Sequence, residues 1–237
     1  MRSTRAVLVL LVLLLLGRSL TATAASSAAR GVQLGGVTVR IGPGTTQVVT
    51  VDHSSGSHAR IILWQRRSDG GWAAVLHSRS ARTGYGGLVA GTRRKQGTGT
   101  TPLGTYPLLF AFGTEPRENG WKVAYRSIGP DDYWVEDNRS AYYNRYRSRA
   151  EGGFRYWLDP RSVNGSERLA AYPRQYRLAL VIGYNYTHRV RYRGAGIFLH
   201  VNGSGPTSGC VSAPLWFLRG TVARLDPAAH PVIAIGR

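Results

Sequence analysis

The chain has 237 residues, a single cysteine and a formal net charge of +19 at pH 7. One cysteine excludes an intramolecular disulfide, and the length is sufficient for one domain with a large buried core. The basic residues are nearly all arginine and are scattered along the chain. This distribution favours contact with anionic polymers over the concentrated basic face of a nucleic-acid-binding protein.

Residues 1–24 have the organisation of a secretory signal peptide. A short segment with two arginines precedes the apolar run AVLVLLVLLLL, and Ala22-Thr23-Ala24 forms a small-residue cleavage site. The apolar run is about half of the roughly 20 residues that a membrane-spanning helix needs. We therefore expect a secreted protein that begins near Ala25, and its positive charge favours association with an anionic cell wall. Retention of this segment as a signal anchor is the alternative.

The remaining chain predicts a mainly β fold. Short apolar segments alternate with turns rich in Gly, Ser and Asn, which indicates a β-sandwich or an open barrel. We expect a flexible lead-in over 25–40, rich in Gly, Ala and Ser, and a single domain over 41–237. The runs LALVI and GIFLHV are typical of strands buried on both faces. Strands are predicted at 46–51, 60–66, 72–77, 104–113, 177–185, 196–201 and 231–236.

One helix is predicted directly after the cysteine. Ser212 is a suitable N-cap, and Pro214 fits the first turn. The apolar residues Leu215, Leu218, Val222 and Leu225 would form one face, and Asp226-Pro227 would end the helix. Cys210 is therefore expected just ahead of a helix N-terminus.

Cys210 and His200 are the candidate catalytic residues. His200 ends the predicted strand GIFLHV, and the Gly- and Pro-rich loop NGSGPTSG can bring Cys210 back beside it. A neighbouring imidazolium and a helix N-terminus would both lower the thiol pKa and favour the reactive thiolate. The N–H groups of Gly209 and Cys210, in a loop that also contains Ser208, are candidates for an oxyanion hole. Nucleophile, base and oxyanion donors together indicate acyl transfer through a thioester.

Each of these features also has a structural interpretation. A lone cysteine is often a small buried hydrophobic residue, and a histidine at a strand end is often a hydrogen-bonded structural residue. The Gly- and Pro-rich loop is also compatible with an ordinary long hairpin. The three features together favour catalysis.

The segment GIFLHV…GPTSGCVS resembles the active-site signature of the L,D-transpeptidase (YkuD-type) catalytic domain in secreted actinobacterial proteins. The segments GTTPLGTYPL, YWVEDNRSAYYNRY and LALVIGYN are similar to other parts of that domain, so the likeness covers about 75–237. The resemblance implies a YkuD-like β-sandwich in which a cysteine attacks the third residue of a peptidoglycan stem peptide. The terminal D-alanine leaves, and an amine of a neighbouring stem completes a cross-link between two diamino-acid residues.

The resemblance also implies roles for individual residues. Cys210 matches the nucleophile, His200 the base, Gly209 the glycine before the nucleophile, and Thr207 the residue that opens the motif. Ser208 and Ser212 depart from the family pattern, which has His at the first position and Arg or Asn at the second. These departures remove one polar partner and one substrate-facing side chain. We assign as candidate substrate-binding residues Thr207, Asn202, Tyr143 and Tyr184.

Several alternatives remain open. Replacement of the acceptor amine by water would make the protein an L,D-carboxypeptidase on the same fold. A non-catalytic wall-binding module is also compatible with the basic, Tyr-rich composition, and the segment AYYNRYR is typical of such a surface. The order of His before Cys excludes a papain-like peptidase. The histidines lack metal-ligand spacing, so we expect neither a metal nor another cofactor. The expected partners are peptidoglycan stem peptides and anionic wall polymers, with no nucleic acid and no stable protein partner.

Overall fold

The computed structural model describes residues 30–237, so the predicted signal peptide lies outside the described residues. The described chain is mainly β, as predicted, and none of its helices is long and apolar enough to cross a membrane. The strands are β1 (Arg30–Leu34), β2 (Val37–Ile41), β3 (Gln47–His53), β4 (His58–Arg66), β5 (Trp72–Arg82), β6 (Leu88–Ala90), β7 (Thr101–Gly113), β8 (Tyr125–Ser127), β9 (Asp132–Trp134), β10 (Tyr146–Ser148), β11 (Glu167–Arg168), β12 (Ala179–Ile182), β13 (Phe198–Val201), β14 (Val211–Ala213) and β15 (Val232–Gly236). The α-helix is α1 (Leu215–Val222), and short 3₁₀ turns lie at Gly91–Arg93, Arg149–Glu151, Leu169–Ala171, Gln175–Arg177 and Pro227–Ala229.

Eight of these strands close into a barrel. Their order around the ring is β12, β13, β14, β5, β4, β3, β15 and β7, and β7 pairs with β12 to complete it. The pairs β13–β14 and β3–β15 are parallel, and the other pairs of the ring are antiparallel. The expected sandwich or open barrel is therefore corrected to a closed barrel. Closure gives every strand of the ring two partners, which removes the unpaired edges of an open sheet.

Two apolar clusters bury opposite faces of β12. Leu180 and Ile182 belong to the main core, where Phe217 and Leu218 of α1 also lie. Ala179 and Val181 point the other way, into an aromatic cluster that covers the outside of the barrel. The aromatic members of this outer cluster are Phe112, Trp134, Tyr143, Tyr176 and Phe198. The prediction that LALVI forms a strand buried on both faces is confirmed.

Residues 30–41 form a β-hairpin that packs on the barrel. Val37 and Val39 of β2 are buried together with Val48 of β3 and Ala234 of β15. The prediction of a flexible lead-in is wrong for the part of 25–40 that the structure describes. The alternation in VTVRI gives β2 one buried face, and burial of that face holds the hairpin in place.

The segment after the cysteine begins as a strand. Ser212, predicted as a helix N-cap, lies inside β14, and its hydroxyl donates to Asn202 Oδ1 at 2.7 Å. The N-cap of α1 is Pro214. Val211 and Ala213 enter the main core from β14, which favours the extended conformation here. Three extended residues span about 10 Å, so the dipole of α1 does not act on Cys210 at the close range that the sequence suggested.

Candidate active site

A cleft of about 820 Å³ is lined by both candidate catalytic residues, Cys210 and His200. The parallel pairing of β13 with β14 brings these residues together, because His200 lies opposite Ser212 in the ladder. Cys210 therefore lies next to Phe198, whose backbone N–H donates to Cys210 Sγ at 3.3 Å. The structure thus places in one cleft the two residues that the sequence analysis paired.

Cys210 is a buried, protonated thiol. Its side chain is 9% exposed, and its Sγ donates to the Gly196 carbonyl at 3.2 Å. Burial raises the pKa of Cys210 to about 12, and the negative charge of Glu167 acts in the same direction. The positive charge of Arg94 and the Phe198 N–H oppose the increase without cancelling it. The expectation of a resting thiolate is therefore wrong, because burial outweighs the nearby donors.

His200 is a buried, neutral imidazole. Its Nδ1 lies 2.8 Å from the Val201 carbonyl oxygen, which can only accept, so Nδ1 carries the proton and Nε2 holds the lone pair. Burial lowers the pKa of His200 to about 4. Tyr176 packs edge-on against the ring, with 5.7 Å between centroids. Within residues 30–237 Nε2 makes no hydrogen bond, so it can accept a proton from a group in the cleft.

Thr207 holds the turn that leads into Cys210. Its hydroxyl donates to the Cys210 carbonyl at 2.6 Å and accepts from the Gly209 N–H at 3.2 Å. Thr207 also lines the cleft, but its polar atom is engaged in the turn. The Gly209 N–H is likewise occupied. It is therefore not the free oxyanion donor that the sequence suggested. Ser208 is exposed and lines the cleft.

The other three predicted substrate-binding residues do not line the cleft. Asn202 links strands, because it accepts from Ser212 and donates to a carbonyl of β5. Tyr143 is buried, and its hydroxyl donates to Gln96. Tyr184 is buried as well, and its hydroxyl shares its one proton between two backbone carbonyl oxygens, at 2.9 and 3.1 Å. Their polar atoms hold the fold together, so the substrate-binding assignment of these residues is corrected.

Two cleft carboxyl groups were missed by the sequence analysis. Burial raises the pKa of Glu136 to about 8 and that of Glu167 to about 7, and the charge of Glu167 adds to the increase at Glu136. Tyr176 donates to Glu167 Oε1 at 2.7 Å. The Glu136 carboxyl makes no hydrogen bond or ion pair within residues 30–237. The chain has only five glutamates, and Glu136 directly follows the apolar residues YWV. This position could have marked Glu136 as a candidate site residue.

Arg94 is the buried cation of the site. Its Nε donates to the Thr100 carbonyl at 2.7 Å, and its Nη1 donates to the Arg193 carbonyl at 3.2 Å. Its charge lowers the pKa of Cys210 and that of Glu136. A Cβ at Gly209 would lie 2.7 Å from Arg94 Nη2, so the guanidinium packs directly against the residue before the nucleophile candidate.

The fold and the cleft together define a closed β-barrel protein with a buried cysteine and a neutral histidine in one cavity. Such a site can hold a peptide-sized ligand, and it offers a thiol, a proton acceptor, two carboxyl groups and one buried cation. A scan against protein-family models and searches of curated proteins and of solved structures found no match to this chain.

Proposed function

We propose that the protein is a cysteine acyltransferase that acts on peptidoglycan stem peptides and links two diamino-acid residues. The observation that carries this proposal is the shared cleft of Cys210 and His200, in which Nε2 of a neutral imidazole is free to accept a proton. The resemblance of GIFLHV…GPTSGCVS to the L,D-transpeptidase signature supports the same reaction and supplies the substrate class.

The proposed reaction has two halves. Cys210 Sγ attacks the carbonyl carbon of the donor stem while its proton passes to His200 Nε2, and the terminal amino acid leaves with that proton. The amine of the acceptor stem then attacks the thioester, gives its proton to the same imidazole, and forms the new amide bond. The proton returns to Cys210 when the thiolate is released.

The resting protonation states constrain the first step. Because the pKa of Cys210 is about 12 and that of His200 about 4, proton transfer between them is strongly uphill before substrate binds. We therefore propose that the thiolate forms only during attack, when negative charge passes on to the substrate oxygen. Arg94 is a buried cation whose charge already acts on Cys210, so we propose that it stabilises that developing charge.

The carboxyl groups of the cleft suit this substrate class. Diamino-acid stems carry ammonium groups, and Glu136 and Glu167 offer carboxyl oxygens in the same cavity as the thiol. An approaching cation would favour their ionised forms and so lower their raised pKa values. Binding of the stem and ionisation of these carboxyl groups would then support each other.

Product analysis tests the proposal. Purified disaccharide-tetrapeptide is incubated with the wild type, Cys210→Ala and His200→Ala, and the products are measured by mass spectrometry. We expect a cross-linked dimer from the wild type, none from Cys210→Ala, and a rate at least about 100-fold lower from folded His200→Ala, the usual scale for losing a general base. Release of tripeptide without dimer would instead indicate an L,D-carboxypeptidase.

The burial of Cys210 favours one second candidate, a non-catalytic wall-binding module. In that case the thiol is only part of the aromatic cluster outside the barrel. Binding of isolated cell walls by wild type and Cys210→Ala alike, with no product from either, would support this candidate over the acyltransferase.

A further inference from the structure

A second groove lies between residues 92–95 and 190–193 and has a volume of about 540 Å³. Its lining contains no acidic residue. Within residues 30–237 none of its basic side chains forms an ion pair with a carboxylate. The basic residues that line it are Arg93, Arg94, Lys95, Arg191 and Arg193.

The walls of the groove are held in place by hydrogen bonds of the protein itself. The Gln96 N–H donates to the Tyr192 carbonyl at 2.8 Å, and the Tyr192 N–H donates to Asn138 Oδ1 at 2.6 Å. Arg191 Nη1 donates to the Ser140 carbonyl at 2.7 Å. The groove is therefore preformed, and a ligand would not have to order it.

The side chains of Arg93, Lys95 and Arg193 make no hydrogen bond within residues 30–237, so their charge is available to an external anion. The Arg94 guanidinium is held by the Thr100 and Arg193 carbonyls and packs on Gly209 in the cleft. Several basic side chains elsewhere meet carboxylates, as Arg155 meets Asp137 and as Arg177 and Arg219 meet Glu115. In the groove like charges are gathered without such a partner, which is unfavourable for the isolated fold. An anion that binds there would relieve this repulsion.

We propose that the groove binds the phosphate groups of a polymer with repeating phosphodiesters. Arginine presents a planar fork of donors that matches phosphate oxygens, and Arg93, Arg191 and Arg193 line the groove. Cations along a groove match charges that repeat along a chain. Tyr192 is the one aromatic residue of the lining, which offers a nucleic acid little surface for base stacking, so a polymer without bases is favoured.

The groove does not depend on the proposed catalysis, although Arg94 lines both cavities. The probe is a fluorescently labelled glycerol-phosphate oligomer, and its binding to the full chain is followed by anisotropy over a salt series. The test variant combines Arg93→Gln, Lys95→Gln and Arg193→Gln, whose side chains make no hydrogen bond within residues 30–237. We expect affinity to fall by about tenfold or more, and the slope of log K against log salt to become shallower by about two, since each lost phosphate contact removes about 0.7.

The control variant removes the same charge elsewhere, through Arg30→Gln, Arg40→Gln and Arg79→Gln, which are exposed and do not line the groove. We expect it to keep most of the affinity and of the salt slope. Equal losses of affinity in both variants would overturn the proposed binding site in the groove and indicate only non-specific electrostatic attraction. Tighter binding of single-stranded DNA, polyglutamate or phosphatidylglycerol vesicles than of the glycerol-phosphate oligomer would overturn the choice of partner. Cys210→Ala should bind the oligomer as the wild type does, so failure of the catalytic proposal would not affect this test.

Discussion

The protonation of two residues decides the chemistry of the cleft. The sequence predicts that Cys210 and His200 meet, because a strand end and a glycine-rich loop can bring them together. It does not predict their charge, because the pKa of each depends on burial by residues far away in the chain. Glu167 raises the pKa of Cys210, and Tyr176 packs against the ring of His200. Both residues lie outside the segment GIFLHV…GPTSGCVS.

The charge of Glu167 can be tested through the reactivity of the thiol. Glu167→Gln removes a negative charge that raises the pKa of Cys210, and the amide oxygen can still accept from Tyr176. We therefore expect the variant to be alkylated by iodoacetamide faster than the wild type between pH 8 and 10, with its pH profile shifted to lower pH. Glu118→Gln, at an exposed position, is the control and should keep the wild-type profile. An unshifted profile in Glu167→Gln would show that Glu167 does not act on the thiol.

Gly209 has a steric role that can be separated from the flexibility of the loop. Its φ is +127°, and an added Cβ would lie 2.7 Å from Arg94 Nη2 and 2.9 Å from the Thr100 carbonyl oxygen. We expect Gly209→Ala to lower the free energy of unfolding by about 1–3 kcal/mol, the usual cost of such strain. Gly205→Ala in the same loop is the control, since a Cβ there meets nothing within 4 Å. Equal urea unfolding curves for the two variants would contradict the packing of Arg94 on Gly209.

At the scale of elements, apolar periodicity predicted most strands of the barrel but not the short strands outside it. All seven predicted strands are present with shifted ends, because each contains apolar residues that lie in a core cluster or pack against one. The short strands β6 and β8–β11 were missed, since two or three residues carry no measurable alternation. β14 was read as part of a helix because Ser212 and Pro214 fit a helix start equally well. Only the barrel, which needs β14 as the partner of β13, decides between the two readings.

The hairpin at 30–41 provides a direct test of the corrected lead-in. Val39 is fully buried, whereas its neighbour Thr38 is exposed. We expect Val39→Ala to lower the free energy of unfolding by about 2 kcal/mol, the scale for burying a valine side chain. Thr38→Ala should change it by less than about 0.5 kcal/mol, as is usual at the surface. The same denaturation midpoint for both variants would instead support the expectation that this segment is flexible.

At the scale of the whole molecule, the cleft should make stability depend on pH. The folded protein keeps a proton on Glu136 up to about pH 8, whereas the unfolded chain releases it near the ordinary value of 4.5. Between these values the folded state binds more protons, so this group lowers stability progressively as pH rises.

Glu136→Gln should remove the loss of stability that Glu136 causes as pH rises. We expect the melting temperatures of the variant and the wild type to agree at pH 4 and to diverge as pH rises, with the variant more stable at pH 8.5. His200 titrates in the other direction, since its lowered pKa favours folding as pH rises from 4 to 6.5, but it is common to both proteins. A difference in melting temperature that stays constant with pH would contradict the raised pKa of Glu136.

The most direct test of the central claim is acylation of Cys210 in the native protein. Intact-protein mass spectrometry after exposure to a carbapenem, an acylating analogue for L,D-transpeptidases, should show a single adduct that peptide mapping places on Cys210. Cys210→Ala should show none, and folded His200→Ala should react at least about 100-fold more slowly. A native Cys210 that never reacts, and becomes reactive only when the protein is unfolded, would contradict the proposed mechanism.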